Sequence, residues 1–311
     1  MSDNRVNIPI VGISSFGKHN VQQDLNSLQA DVAILGVPYD MGTAYRSGAR
    51  LAPRRIREAS TLGNNESGFY DHERDDTFLQ DVSIVDCGDV DILHGDLHYS
   101  FKNIEKDVRT ITERGALPVV IGGDHSITTA IGKGLDQVGD FYVVQIDAHL
   151  DWSDAPGGQK YGQGSPMRRL SEMSYVSGMS QLGIRGVGSS LKSDFDDARA
   201  YGSIIRSTKQ IRELGIDKVD LLIPKADRYY VTIDIDGLDP SVAPGTGTPS
   251  AGGFTFHEVQ TILEVIASQG DVIGFDLVEV APDYDPSGIT CHLAQQIIKE
   301  FIGFIFKSRE V

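Results

Sequence analysis

The stretch Tyr142-Val143-Val144-Gln145-Ile146-Asp147-Ala148-His149-Leu150-Asp151 decides the fold. Its first half is a short, almost unbroken apolar run, the pattern of a strand buried on both faces. Its second half turns abruptly to carboxylates and imidazole, so polar groups gather where the strand ends. Runs of the same kind recur at 32–37, 83–86, 117–121, 230–233 and 271–275, with weaker ones at 181–184 and 202–205. Segments with helical spacing lie between them, at 53–60, 99–114, 126–134, 192–200, 256–268 and 291–306. In the last of these, Leu293, Ile297, Ile298, Phe301, Ile302 and Ile305 recur at a period of about 3.6 residues, which gives a core-facing stripe. Buried strands alternating with helices predict a three-layer α/β/α fold with a mostly parallel sheet of about eight strands.

No internal repeat, low-complexity tract or Pro/Ser-rich linker interrupts the chain. The expected organisation is an irregular N-terminal arm over 1–30 followed by one catalytic domain over 31–311. The 311 residues carry 28 Lys and Arg against 44 Asp and Glu, a formal charge of −16. That field repels nucleic acid and anionic membranes and suits a small cationic substrate. No apolar stretch approaches the roughly 18 residues of a membrane span, and no signal-like apolar segment follows the N-terminus. Cys87 and Cys291 share no metal-binding spacing. A reducing, cytoplasmic location is expected.

Three polar clusters follow strong strands: Gly122-Gly123-Asp124-His125-Ser126, Asp147-Ala148-His149-Leu150-Asp151, and Asp234-Ile235-Asp236-Gly237-Leu238-Asp239-Pro240. In an open parallel sheet, ligands bind at the carboxyl ends of strands. In extended chain, residues two apart point the same way, so Asp147 pairs with His149 and Asp234 with Asp236. Four crowded aspartates would take up protons unless cations lay between them. Oxygen-rich sites completed by imidazole suit borderline divalent ions, Mn²⁺ first, with Ni²⁺, Co²⁺ or Zn²⁺ less excluded than the alkaline earths. So many carboxylates point to two ions and to the chemistry of binuclear hydrolases. Each piece also has a purely structural reading: Asp124 as a helix N-cap, His125 as a bonded core histidine, Asp239-Pro240 as a turn. All three clusters together are hard to explain that way, because unpaired buried charge is costly.

The segments GGDHSIT (122–128), DAHLD (147–151) and TIDIDGLDPSVAPGTGTPSAGG (232–253) resemble the signature segments of the ureohydrolase (arginase/agmatinase) superfamily. GTAYRSGARLAPRRIR (42–57) and GFDLVEVAP (274–282) match as well, so the resemblance spans about residues 31–306 and is nearest to agmatinase-type guanidino-compound hydrolases. It implies one metal on His125, Asp147, Asp151 and Asp234 and a second on His149, Asp147, Asp234 and Asp236, with Asp147 and Asp234 bridging. It also implies that Glu279 pairs with a substrate guanidinium, a bidentate geometry that suits a planar cation. The expected reaction is attack of a metal-bridging hydroxide on the guanidinium carbon, with Asp151 passing a proton to the leaving amine and urea as product. Homotrimers or hexamers are implied by the same resemblance, and a hetero-oligomer is an alternative.

The sequence departs from the family pattern after DAHLD. At 163 it has glutamine where many relatives place a histidine that shuttles protons, and glutamine cannot titrate near neutrality. Gln163 is therefore expected to orient substrate or water. Trp152, the only tryptophan, could wall the pocket and stack on a guanidinium, or pack beneath the loop. Tyr45 and Arg46 are expected near the mouth. The arginines around them (Arg50, Arg54, Arg55, Arg57) read as an ion-paired helix face. Three substrate groups remain open: agmatine, a guanidino acid, or guanidine and small alkylguanidines. Formimino hydrolysis is an alternative chemistry, and a non-catalytic subunit of a mixed oligomer an alternative class.

Overall fold

The computed structural model describes residues 8–63 and 68–309. Among these residues eleven strands form: β1 (Asn20–Val21), β2 (Val32–Gly36), β3 (Phe69–Asp71), β4 (Asp76–Phe78), β5 (Ile84–Asp89), β6 (Leu117–Ile121), β7 (Phe141–Ile146), β8 (Val176–Gly183), β9 (Ile204–Ser207), β10 (Arg228–Asp234) and β11 (Asp271–Val278). Among the described residues eight α-helices accompany them: α1 (Ala52–Ser60), α2 (Leu97–Glu113), α3 (Thr128–Gly134), α4 (Pro166–Ser171), α5 (Lys192–Tyr201), α6 (Thr208–Leu214), α7 (Phe256–Gln269) and α8 (Ile289–Arg309). Nine strands make one sheet in the order β1-β5-β2-β6-β11-β10-β7-β8-β9, every pairing parallel. β3 and β4 form a separate antiparallel hairpin.

The apolar runs bury both faces, as a parallel sheet requires. Within β2, Val32 and Ile34 face the layer that holds Ile56 of α1, Ile262 of α7 and Phe301 of α8. Ala33 and Leu35 face Ile104 of α2, Ile131 of α3 and Leu170 of α4. The expected stripe of α8 is buried throughout, and Phe275 of β11 meets Phe301 with ring centroids 4.8 Å apart. α7 starts with a capping box, in which Thr255 accepts from Glu258 N and the Glu258 carboxylate accepts in return from Thr255 N.

Several features differ from expectation, the β3–β4 hairpin among them. The sheet has a ninth strand because the arm is not wholly irregular: Asn20 and Val21 pair with Val85 and Asp86, and Phe16 is fully buried. A two-residue strand is too short to leave a periodic signal. Helices α4 and α6, of 6 and 7 residues, were also invisible to periodicity. The weak run at 181–184 belongs to the eight-residue β8, whose Ser180 and Gln181 mask its apolar character. Both are satisfied internally, Ser180 Oγ donating to Leu222 O at 2.6 Å and Gln181 Nε2 to Leu150 O at 2.6 Å.

The arginine-rich segment makes ion pairs, as expected of it. Arg57 is buried and grips Asp86 through Nε (2.8 Å) and Nη2 (3.0 Å), while Nη1 reaches Asp89 at 2.5 Å. Arg50 pairs with Asp40, and Arg55 with Glu58. Among the described residues, no helix is long and apolar enough to cross a membrane. At the centre of the sheet β6, β11, β10 and β7 are neighbours, so their four carboxyl ends open onto one place.

Candidate active site

Each of those four strand ends delivers a chemically active side chain. After β6 the chain passes through Gly123, where a Cβ would lie 1.6 Å from Tyr39 O, so only glycine allows the approach. Asp124 N then donates to that Tyr39 carbonyl at 2.8 Å. The Asp124 side chain caps the following turn by accepting from Ser126 N, the N-cap role read from sequence. This turns His125 inward, 1 % exposed. After β7 come Asp147, His149 and Asp151, after β10 Asp234 and Asp236, and after β11 Glu279.

These groups converge. His125 Nδ1 lies 3.1 Å from Asp147 Oδ2, 2.9 Å from Asp151 Oδ2 and 3.3 Å from Asp234 Oδ2. His149 Nδ1 lies 3.0 Å from Asp236 Oδ2 and 3.6 Å from Asp147 Oδ1. Two clusters able to hold an ion result, His125/Asp147/Asp151 and Asp147/His149/Asp236, with Asp147 common to both. Donor atoms bound to one ion at about 2.1 Å and at right angles sit about 3 Å apart, which is the spacing found. The donor set fits divalent metals on a second ground: the buried Nδ1 of His125 has three carboxylates around it yet no oriented hydrogen bond.

The electrostatics agree with that reading. Burial raises Asp151 to about 6 against its histidine partners. Burial and the charges of Asp236 and Asp147 push Asp234 well above the usual carboxylate range. Burial and then the charge of Asp124 do the same to Glu279. Burial disfavours the cationic form of both histidines, but the surrounding aspartates outweigh it, lifting His149 to about 12 and His125 well above its ordinary value. Without metal, the protein keeps this acid cluster compact by holding protons.

Supporting bonds orient the donors. His125 Nε2 bonds Thr232 Oγ1 at 2.9 Å, and Thr232 donates to Asp276 Oδ1 at 2.6 Å. Thr128 and Tyr230 also donate to Asp276. Gln145 Nε2 donates to Asp147 Oδ2 at 2.6 Å, and Gln181 holds Gln145 in turn. Sequence reasoning passed over Thr232, Asp276, Gln145 and Gln181 as strand residues. Their signal was there to read: polar side chains inside otherwise apolar buried strands. Two donors, Asp151 (φ 51°) and Glu279 (φ 64°), occupy the left-handed region that non-glycine residues seldom adopt, a concentration of backbone strain at the cluster.

A cavity of about 230 Å³ opens above the cluster, lined by His125, His149, Asp151, Asp234 and Glu279 with Gln163, Gly164, Ser189 and Thr248. Glu279 is oriented by His125 N, which donates to its Oε1 at 2.8 Å. The Gln163 carbonyl oxygen has no hydrogen-bond partner among the described residues. Ser189 and Thr248 were not expected from sequence; they sit on long connections with no periodic pattern. Three expected substrate contacts are not in this lining. Trp152 is 2 % exposed, stacks near Tyr201 at 5.5 Å and donates Nε1 to Asp197 at 2.7 Å, so it packs beneath the loop. Its position next to Asp151 misled, because the following residue in the chain points the other way. Arg46 places its guanidinium 3.6 Å from the Tyr284 ring centre, and Tyr45 is 82 % exposed to solvent.

A parallel sheet flanked by two helical layers, with paired His/Asp clusters at the carboxyl ends of its central strands, defines a hydrolase of the ureohydrolase class. Comparison with known proteins agrees. The chain belongs to the Arginase family, whose model matches residues 30–303. It is 36% identical over 280 residues to proclavaminate amidinohydrolase of Streptomyces clavuligerus, covering 88% of this chain and 87% of that one. The solved structure of that enzyme superposes with a TM-score of 0.84, covering 96% of this chain and 99% of that one at 31% identity. Agmatinase of Bacillus subtilis is 35% identical over 281 residues, 89% of this chain and 93% of its own. The structure of formimidoylglutamase from Bacillus subtilis matches with a TM-score of 0.83 at 27% identity, covering 94% of this chain and 91% of that one.

Proposed function

We propose that this protein hydrolyses a C–N bond of a linear guanidino compound, releasing urea and an amine, or ammonia when guanidine itself is the substrate. The observation that carries the reading is the convergence of His125, Asp147, His149, Asp151, Asp234 and Asp236 beneath one cavity with Glu279 in its wall. His125, Asp147, Asp151 and Asp234 hold one divalent ion; His149, Asp147, Asp234 and Asp236 hold the other, with Mn²⁺ the first choice and Ni²⁺ the second. A metal pair supplies water activation at neutral pH and polarisation of the electrophile.

The residues of the chain do the rest. The Glu279 carboxylate receives guanidinium N–H groups and sets the plane of the substrate above the cluster. Gln163, also in the lining, contacts the substrate and cannot relay a proton, having no titrating group. Asp151, at the edge of the cavity, takes a proton as the new C–O bond forms and passes it to the departing nitrogen as the C–N bond breaks. Similarity to proclavaminate amidinohydrolase and agmatinase supports amidino chemistry.

The test is urea release from a panel of agmatine, 4-guanidinobutyrate, arginine, guanidine and methylguanidines, with metal-free protein reloaded with Mn²⁺ or Ni²⁺. Turnover of one member with about two metals per chain is expected, and D147A should lose both activity and metal. A protein that turns over the panel after D147A overturns the assignment. The likeness to formimidoylglutamase favours one second reading, hydrolysis of a formimino group. Formamide or ammonia from a formimino amino acid added to the panel, with no urea from the guanidino compounds, identifies it.

A further inference from the structure

The active-site cavity carries an inference about substrate charge that rests on the reading above. Asp147, Asp151, Asp234 and Asp236 bring four negative charges, enough to balance two divalent ions when both histidines are neutral. Glu279 is then the one uncompensated charge in the wall, and a guanidinium neutralises it. Everything else in the lining is uncharged: Gln163, Gly164, Ser189 and Thr248. Thr248 is already committed, its Oγ1 donating to Asp236 Oδ2 at 2.9 Å.

Three arginines of the surrounding segments are occupied elsewhere, and Lys160, three residues before Gln163, is exposed outside the cavity lining. Arg185 spends its guanidinium on backbone carbonyls, with Nη2 at 2.6 Å from Asp236 O and 2.7 Å from Ser250 O. Arg46 stacks on Tyr284, and Arg169 is buried against Asp154 and Glu172. Among the described residues, no lysine or arginine lines the cavity. A substrate with a carboxylate at its far end would desolvate that group beside acids, with nothing positive to receive it.

We propose that the cavity selects guanidinium compounds whose far end is neutral or cationic and rejects guanidino acids, with Gln163 and Ser189 as the residues that set this preference. The partnerless Gln163 oxygen accepts an N–H from the substrate, which an amine or a second guanidinium nitrogen supplies; turned over, the same amide offers a carboxylate a neutral donor and no compensating charge. Ser189 is an exposed residue at the rim, where a longer side chain can be accommodated. It therefore marks the place where a relative could carry a cation for an anionic tail.

The experiment compares three substrates of matched length on the metal-loaded enzyme: agmatine, butylguanidine and 4-guanidinobutyrate. The expected kcat/KM for 4-guanidinobutyrate is at least about 100-fold below the better of the other two, the discrimination expected when an anion is brought beside acids with no cation to receive it. S189R should narrow that gap by about tenfold or more through KM, by supplying the missing partner. Calorimetric binding of the unreactive pair butylamine and 4-aminobutyrate gives a readout independent of turnover, and the amine should bind more tightly. Preference for 4-guanidinobutyrate, or equal handling of all three, overturns the selection while leaving guanidino hydrolysis intact. No urea from any of the three, with two metals bound, overturns this inference, and the hydrolysis reading falls with it when arginine, guanidine and the methylguanidines are inert as well.

Discussion

Thr232 shows how much of the site lies one layer behind the residues that stand out in the sequence. Its hydroxyl holds His125 Nε2 and is itself held by Asp276, which fixes the imidazole so that Nδ1 faces the aspartates. T232V keeps the shape and removes that hold, so metal affinity should fall about 10–100-fold with the fold intact. Competition with a chelator of known affinity measures it, and an unchanged affinity would assign the orientation of His125 to packing alone. Trp152 is the opposite case, conspicuous in sequence but buried in the core. W152F removes the bond to Asp197 and some volume, and should cost about 1–2 kcal/mol of stability with KM unchanged. A tenfold rise in KM would return Trp152 to the substrate wall. The cluster itself was legible because acids and histidines followed strong strands at a spacing of two. Gln163 was legible as a departure from a pattern. Ser189 and Thr248 were not legible, since loop geometry places them and no local periodicity encodes it.

At the level of elements, the strands and long helices could be read because burial on two faces leaves unbroken apolar runs and packing on one face leaves a stripe. β1, α4 and α6 are too short to carry either signal, and tertiary contact alone makes them regular. Arg57 connects this level to stability. It lies on α1 and reaches Asp86 and Asp89 of β5 from a nearly dry position, while Asp86 also accepts from Phe16 N at 2.7 Å beside β1. Arg57 thus fastens the helix, the strand and the arm at one sheet edge. R57A leaves Asp86 buried without its partner and should destabilise the protein by about 3–5 kcal/mol. Kinetic constants for the metal-loaded enzyme below its melting temperature should not move. Chemical denaturation measures the first, and a loss below about 1 kcal/mol would show that Asp86 finds water or another donor.

For the whole molecule, the acid cluster makes stability depend on pH in opposite ways with and without metal. In the metal-free protein Asp151 titrates at about 6, and Asp234 and Glu279 lie well above their unfolded values of about 4. The folded state therefore holds more protons than the unfolded state from about pH 4 upward, and stability falls as pH rises through 6 and beyond. His125 and His149, raised likewise, extend the loss above pH 6.5. Asp147 is shifted the other way, and its effect is confined to pH below about 4. Chelated protein should melt lower at pH 8 than at pH 5, whereas metal-loaded protein should not, because bound ions replace the protons. Equal melting temperatures at the two pH values after chelation would contradict the burial of these groups. The order of strands along the chain has a further consequence. The backbone of His125 is steadied by Glu279, 154 residues later, and the central strands β6, β11, β10 and β7 are assembled from distant parts of the sequence. Contacts of such long range form late in folding. A growing chain on the ribosome therefore cannot complete the acid cluster until β11 has emerged, so metal capture doubles as a record that the central strands have come together.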